Sequence, residues 1–213
     1  MPLLAGLRDR FGLGYNDRVG LAMAKYTRMH RTRFAVLVGM ILSAAAFRLI
    51  PHPPNFAPVG ALALFGGACF PSKRVAFLVP MAAMLVSDVA IGLLSGDLSR
   101  GLHGLLPVVY GSFALIVCLG FWLRRRRTSV PIAGAALASS VIFFLLTNFA
   151  VWALGSSYPK TWDGLAACYL AAIPFFHNTL LGDAFYVTVL FGGLALAEKR
   201  WPSLRERELA AAR

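Results

Sequence analysis

LLPVVYGSFALIVCLGFWLRRRRTSVPIAGAALASSVIFFLLTNFAVWAL, residues 105–154, decides the fold. Two apolar stretches, Leu105 to Leu123 and Pro131 to Leu154, are joined there by Arg124-Arg125-Arg126-Arg127. Each stretch is close to the ~20 residues an α-helix needs to cross a bilayer. Cytoplasmic loops of membrane proteins are enriched in Lys and Arg, so the four arginines put this junction on the cytoplasmic side. Working outward, four more apolar stretches run from Phe34 to Phe47, Phe56 to Phe70, Val75 to Leu94 and Phe175 to Ala197. The positive charges mark alternate gaps between them. The leading tail holds seven, from Arg8 to Arg33, the second gap Lys73 and Arg74, and the trailing tail Lys199, Arg200, Arg205, Arg207 and Arg213. Only Arg48, Arg100 and Lys160 fall on the other side. The pattern predicts an all-α integral membrane protein, a six-transmembrane-helix bundle with both ends in the cytoplasm. Residues 1–33 read as a cytosolic tail, 34–197 as the membrane domain and 198–213 as a second cytosolic tail.

Composition agrees. Of 213 residues, 58% are hydrophobic and 14% charged, against about 25% charged in a soluble domain. The net charge of +12 sits beside membrane ends, without an aromatic-rich soluble module, so the partner it implies is the lipid bilayer and not nucleic acid. Cys69, Cys118 and Cys168 are widely spaced, form no CxxC motif and read as small buried apolar residues. Ala44 to Ala46 imitates a signal-peptide cleavage site, but Arg48 and five further apolar stretches point to a retained first helix.

Along the chain, Leu4, Leu7 and Phe11 have the spacing of a short interfacial helix, with a disordered tail as the alternative. The loop Pro51-His52-Pro53-Pro54-Asn55 is stiffened by its prolines, and Asn55 is a candidate cap for the second helix, with Pro58 in its first turn. That helix, about 23 Å long, is short against a hydrocarbon core of ~30 Å and is expected to be partly shielded by neighbours. Leu165 to Ile173 is too short to span and is expected to be a separate short helix or re-entrant piece ending before Pro174.

Ionisable residues inside spans are costly and mark candidate sites. Counted from the inner ends of their stretches, Arg48, Asp88, Asp183 and Asn148 lie at similar heights, about 20–25 Å up. They form one slab in the outer half of the membrane. Thr179, Asp183 and Tyr186 share a helix face, while Asn178 is turned away from it. Ser140, Phe144, Asn148 and Trp152 make an i, i+4 stripe in which Asn148 offers a directed hydrogen bond and Trp152 a flat face to a ring-shaped ligand. Helix–helix hydrogen bonding is the alternative use of that stripe. Arg48 is expected to pair with Asp88 or Asp183, and the surplus carboxylate to favour a cationic or donor-rich compound. With His52, Asn55 and Asn178 at the outer ends, the candidate substrate-binding set is Arg48, His52, Asn55, Asp88, Asn148, Trp152, Asn178 and Asp183. His52, His103 and His177 come from separate segments without ligand spacing, so no metal and no cofactor is expected. No HExxH, P-loop or GxSxG motif occurs, so no enzyme activity, and no ATPase within the chain, is expected.

The string Arg48-Leu-Ile-Pro-His-Pro-Pro-Asn-Phe-Ala-Pro-Val-Gly-Ala-Leu-Ala-Leu-Phe-Gly-Gly67, with Ser87-Asp88, Leu146-Thr-Asn148-Phe and Phe176-His-Asn-Thr-Leu-Leu-Gly-Asp183, resembles an uncharacterised bacterial family described as transport proteins. That family is in turn similar to the substrate-binding S components of energy-coupling-factor (ECF) vitamin transporters. The resemblance covers about residues 34–197. It implies an ECF S-component-like six-helix bundle of the bacterial inner membrane, with an outward-opening pocket for a vitamin-like small molecule. It also implies docking to a transmembrane coupling subunit driven by ATPases. Such docking uses small residues on the first helix; here Ala35, Gly39 and Ser43 form a small-xxx-small stripe in place of the usual alanine pair. Two other readings stand beside it: an intramembrane enzyme using Asp88 and Asp183, and a membrane structural or assembly protein without a ligand.

Overall fold

The computed structural model describes the backbone of residues 13–205 and the side chains of residues 30–205. Leu4, Leu7 and Phe11 lie outside the described residues. Among the described residues, every regular element is helical: α1 (Leu13–Ala46), α2 (Val59–Cys69), α3 (Lys73–Leu94), α4 (Leu106–Leu123), α5 (Ser129–Leu154), α6 (Trp162–Val187) and α7 (Gly193–Arg200). A π-helical segment, Thr188–Gly192, joins the last two. Five helical segments are long and apolar enough to cross a membrane, and α2 is a sixth, shorter apolar helix. The chain is an all-α bundle with the make-up of a multi-pass membrane protein.

The helices form two compact units. Leu37–Gly193 carries all the candidate substrate-binding residues. In the other, formed by the described residues up to Val36 and from Leu194, the buried Arg33 bonds Glu198 Oε1 at 2.6 Å and donates to the Leu204 carbonyl.

The core of the larger unit is α2. Its sequence, VGALALFGGAC, carries no charged or hydroxyl side chain on any face. A helix apolar all round has nothing to show water and is buried. From Gly60 to Cys69 every residue is buried, ringed by α3, α4, α5 and α6. Eleven residues span only about 16 Å, so α2 is shorter than expected and is enclosed by its neighbours along its length. Close packing needs glycines. A Cβ on Gly120 would sit 2.5 Å from the Leu64 carbonyl oxygen, and one on Gly67 would strike Val117 O, so α2 and α4 meet backbone to backbone.

Two expectations are corrected, and the first helix adds a finding. The first helix begins by Leu13, so the backbone before Phe34 is helical from that residue on. Leu165–Ile173 is no separate piece: α6 runs unbroken through Pro174. Proline costs a helix one backbone bond, and a helix supported by neighbours tolerates that loss. Asn55 does not cap α2; the helix starts four residues later, behind Pro58, with no side chain of its own segment at the cap. Of the cysteines, Cys69 and Cys168 are buried and Cys118 is exposed.

Candidate ligand-binding site

Both ends of α2 are completed from elsewhere in the chain. A helix start leaves N–H groups without intrahelical partners, and the aligned dipoles make that end positive. Asp183, on α6, fills this role. Its carboxylate accepts from the Ala61 backbone N–H, and its Oδ2 from Ser140 Oγ at 2.6 Å, while Ser139 Oγ beside it donates to Ala136 O at 2.8 Å. The fit is tight, since a Cβ on Gly60 would lie 2.6 Å from Asp183 Oδ1. At the other end Arg124 Nε donates to Gly67 O at 2.9 Å and its Nη1 to Pro71 O at 3.1 Å. An acid therefore stands at the positive end of the buried helix and a base at the negative end. Nothing in the spacing of residues 59–69 points to either; they meet α2 only in three dimensions.

The second buried acid is Asp88, on α3. Arg48, in the 3-10 turn after α1, donates through Nη2 to Asp88 Oδ1 at 2.6 Å. Its Nη1 reaches Met84 O at 3.4 Å and also the Ser87 hydroxyl. Tyr110, on α4, donates to Asp88 Oδ2 at 2.8 Å. One carboxylate thus ties the ends of α1, α3 and α4 together. Asp88 and Asp183 are each only 3% exposed. Of the two acids, the partner of Arg48 is Asp88; Asp183 has no cation within salt-bridge distance among the described residues.

These networks border a cavity of about 260 Å³. Arg48, His52, Asn55, Asp88 and Asp183 line it, with Met84, Ile91 and Leu106 as apolar wall. A second chamber of about 240 Å³ adjoins it, walled by Phe144, Val151 and Phe175 and bearing Thr147 and Asn148. Asn55, His103, Val109, Phe143 and Thr179 line both chambers, which makes them one bipartite site. Asn148 donates from Nδ2 to Phe144 O at 2.8 Å, while its Oδ1 has no partner among the described residues. Asn55 stands in the left-handed backbone region, φ 63°, a conformation Asn adopts more readily than most residues.

Two candidate residues line neither chamber. Trp152 turns its indole to the loop between α5 and α6, donating to Pro159 O at 2.9 Å, with Lys160 Nζ 5.9 Å from its ring centre. Lys160 in turn donates to Trp152 O and Gly155 O, at the carbonyl end of α5. Asn178 donates to Pro54 O at 2.9 Å and so pins the proline loop to α6. Phe56 packs beside it, 5.8 Å from Tyr186 and 5.9 Å from Phe185. Phe143, Thr179 and His103 line the site, and Tyr110 bonds a carboxylate that does, without having been singled out as ligand contacts. Thr179 had one sequence signal, its shared face with Asp183. His177 is exposed and lines neither chamber. No three His, Cys, Asp or Glu side chains come together as a metal set among the described residues.

The two ends of the bundle differ. The chambers lie where α1 hands over to the proline loop and α4 begins, whereas Arg124 draws the Pro71 and Arg124–Arg127 loops together at the opposite end. A helical bundle with a basic end and a polar-lined cavity at the other now has a family to set beside it. The chain belongs to a family of unknown function, DUF6580. Its family model matches residues 28–204, which takes in both chambers and all eight candidate substrate-binding residues. No curated protein and no solved structure matches the chain. The bundle is a mostly helical, multi-spanning, membrane-like protein, coarsely compatible with a transport role.

Proposed function

We propose that this protein is the substrate-binding subunit of a small-molecule uptake system, similar in role to an ECF S component. The bipartite cavity carries the reading. Its chambers, about 260 and 240 Å³, are together in the range of sites that enclose a small organic ligand. They combine aromatic walls with a few polar groups, as such sites do. The bilayer is the bacterial inner membrane in this proposal. The basic end faces the cytoplasm with both termini, and the chambers open outward, by the bias of Lys and Arg toward cytoplasmic loops.

Two observations add support. Ala35, Gly39 and Ser43 are all exposed on α1, and a Cβ on Gly39 would meet no atom within 4 Å. That face is open to a closely packing helix, the role of a transmembrane coupling subunit with its ATPases. Both buried carboxylates are also engaged: Asp88 holds Arg48 and Tyr110, and Asp183 caps α2. Both are thereby tied into the scaffold that shapes the chambers, which suits a binding role. The test is native mass spectrometry of full-length protein purified from its own membranes. The expected result is a co-purifying small molecule that is lost in a variant with Phe143→Trp, which fills the join of the chambers. A folded protein that carries nothing at any stage, yet turns over lipid or metabolite, would refute transport.

A further inference from the structure

We infer that the ligand of these chambers is an uncharged molecule with a flat ring and an amide- or lactam-like edge. The inference rests on the binding role proposed above and names the ligand class for that site. Charge is the first argument. A buried formal charge facing the site without a partner would call for a counter-charge on the ligand. Here the formal charges are met from inside the protein: Arg48 by Asp88, with Tyr110 on the second oxygen. Asp183 is met by the Ser140 hydroxyl and by an N–H in the first turn of α2, whose dipole contributes about half a positive charge. The surplus carboxylate that the sequence would pair with a cationic ligand is therefore already compensated.

The second argument is what remains without a partner. Among the described residues, the Asn55 side chain, the Asn148 Oδ1 and the His103 ring make no hydrogen bond. All three face the second chamber, and two of them face both. A primary amide offers two donors and one acceptor on a planar group. Asn55 thus presents a donor–acceptor edge, and Asn148 a lone acceptor. The complement is an acceptor–donor edge with a further N–H, such as a carboxamide, a lactam or an oxo-heterocycle carries. Phe143, Phe144 and Phe175 supply walls against which a flat ring packs.

Benzamide, benzamidine and benzoate share one ring and one shape but are neutral, cationic and anionic. Binding of each to the full-length protein in lipid nanodiscs is read by saturation-transfer NMR. Nine-atom fragments bind at about millimolar Kd when they fit. Benzamide is expected to bind at least about tenfold more tightly than the other two. Asn148→Asp, which keeps the shape and adds a charge, is expected to move the preference to benzamidine; Asn55→Ala is expected to weaken benzamide about tenfold. Benzamidine or benzoate binding the unaltered protein as tightly as benzamide, and sensitive to Asn148→Asp, would overturn the neutral class while leaving the site. Failure of all three to bind a folded protein would overturn the site and the ligand class together.

Discussion

Arg48 shows how much one side chain carries. It follows the last turn of α1, and its guanidinium is the one cation among the described residues that pairs with Asp88. Breaking a buried pair leaves a charge without its partner and costs roughly 3–5 kcal/mol. Arg48→Ala is expected to lower the thermal midpoint of the detergent-purified protein clearly. Asp88→Asn should lower it too, and the double variant should lose less than the two single losses combined. Strictly additive losses in that cycle would mean the two side chains do not interact. The same pair with Asp183→Asn is expected to be additive within error, because Asp183 bonds Ser140 and α2 and not Arg48.

At the scale of an element, α2 poses the main physical problem. It is buried along almost its whole length, so water cannot satisfy its end groups. Asp183 and Arg124 do so, each with the sign that the helix dipole favours. Loss of such a partner from a buried end leaves polar groups unmet, worth about 1–3 kcal/mol each. Asp183→Leu and Arg124→Met are each expected to raise hydrogen exchange of the amides over 59–69 and to lower the thermal midpoint. Arg125→Met, at an exposed neighbour, is the control and is expected to leave both unchanged. Equal effects of Arg124→Met and Arg125→Met would show that the four arginines act only as a charge block. The proline loop is managed in the same way, held by Asn178 at Pro54 O and by Phe56 against Tyr186.

For the whole molecule, the testable matter is which way the bundle lies in its membrane. The chambers and the arginine-bound loops sit at opposite ends of the larger unit. Single cysteines at Arg125 and at Lys160, in a background without Cys69, Cys118 and Cys168, should report the two sides. An impermeant maleimide added to intact cells is expected to label position 160 and to reach position 125 only after lysis. Labelling of position 125 in intact cells would invert the orientation and turn the chambers toward the cytoplasm.

The sequence by itself determined what depends on local composition. Apolar runs long enough for a bilayer announce α3, α4 and α5, because burial in lipid demands hydrophobic side chains whatever the neighbours are. The depth of Arg48, Asp88 and Asp183 follows from rise per residue alone, and these three do line one chamber. The shortness of α2 was legible as well, since residues 56–70 cannot span ~30 Å as a helix. Which acid meets Arg48 was not legible, because equal depth says nothing about the direction in which a side chain leaves its helix. Trp152 illustrates the same limit: its spacing from Asn148 puts it on the ligand stripe, but the loop that returns to Pro159 takes up its N–H. Arg124 is one of four identical residues in sequence and is set apart by its bonds to Gly67 O and Pro71 O, partners 57 and 53 positions away. Only the tertiary structure decided these pairings, since a hydrogen bond is set by angles and distances across helices that no single helix contains.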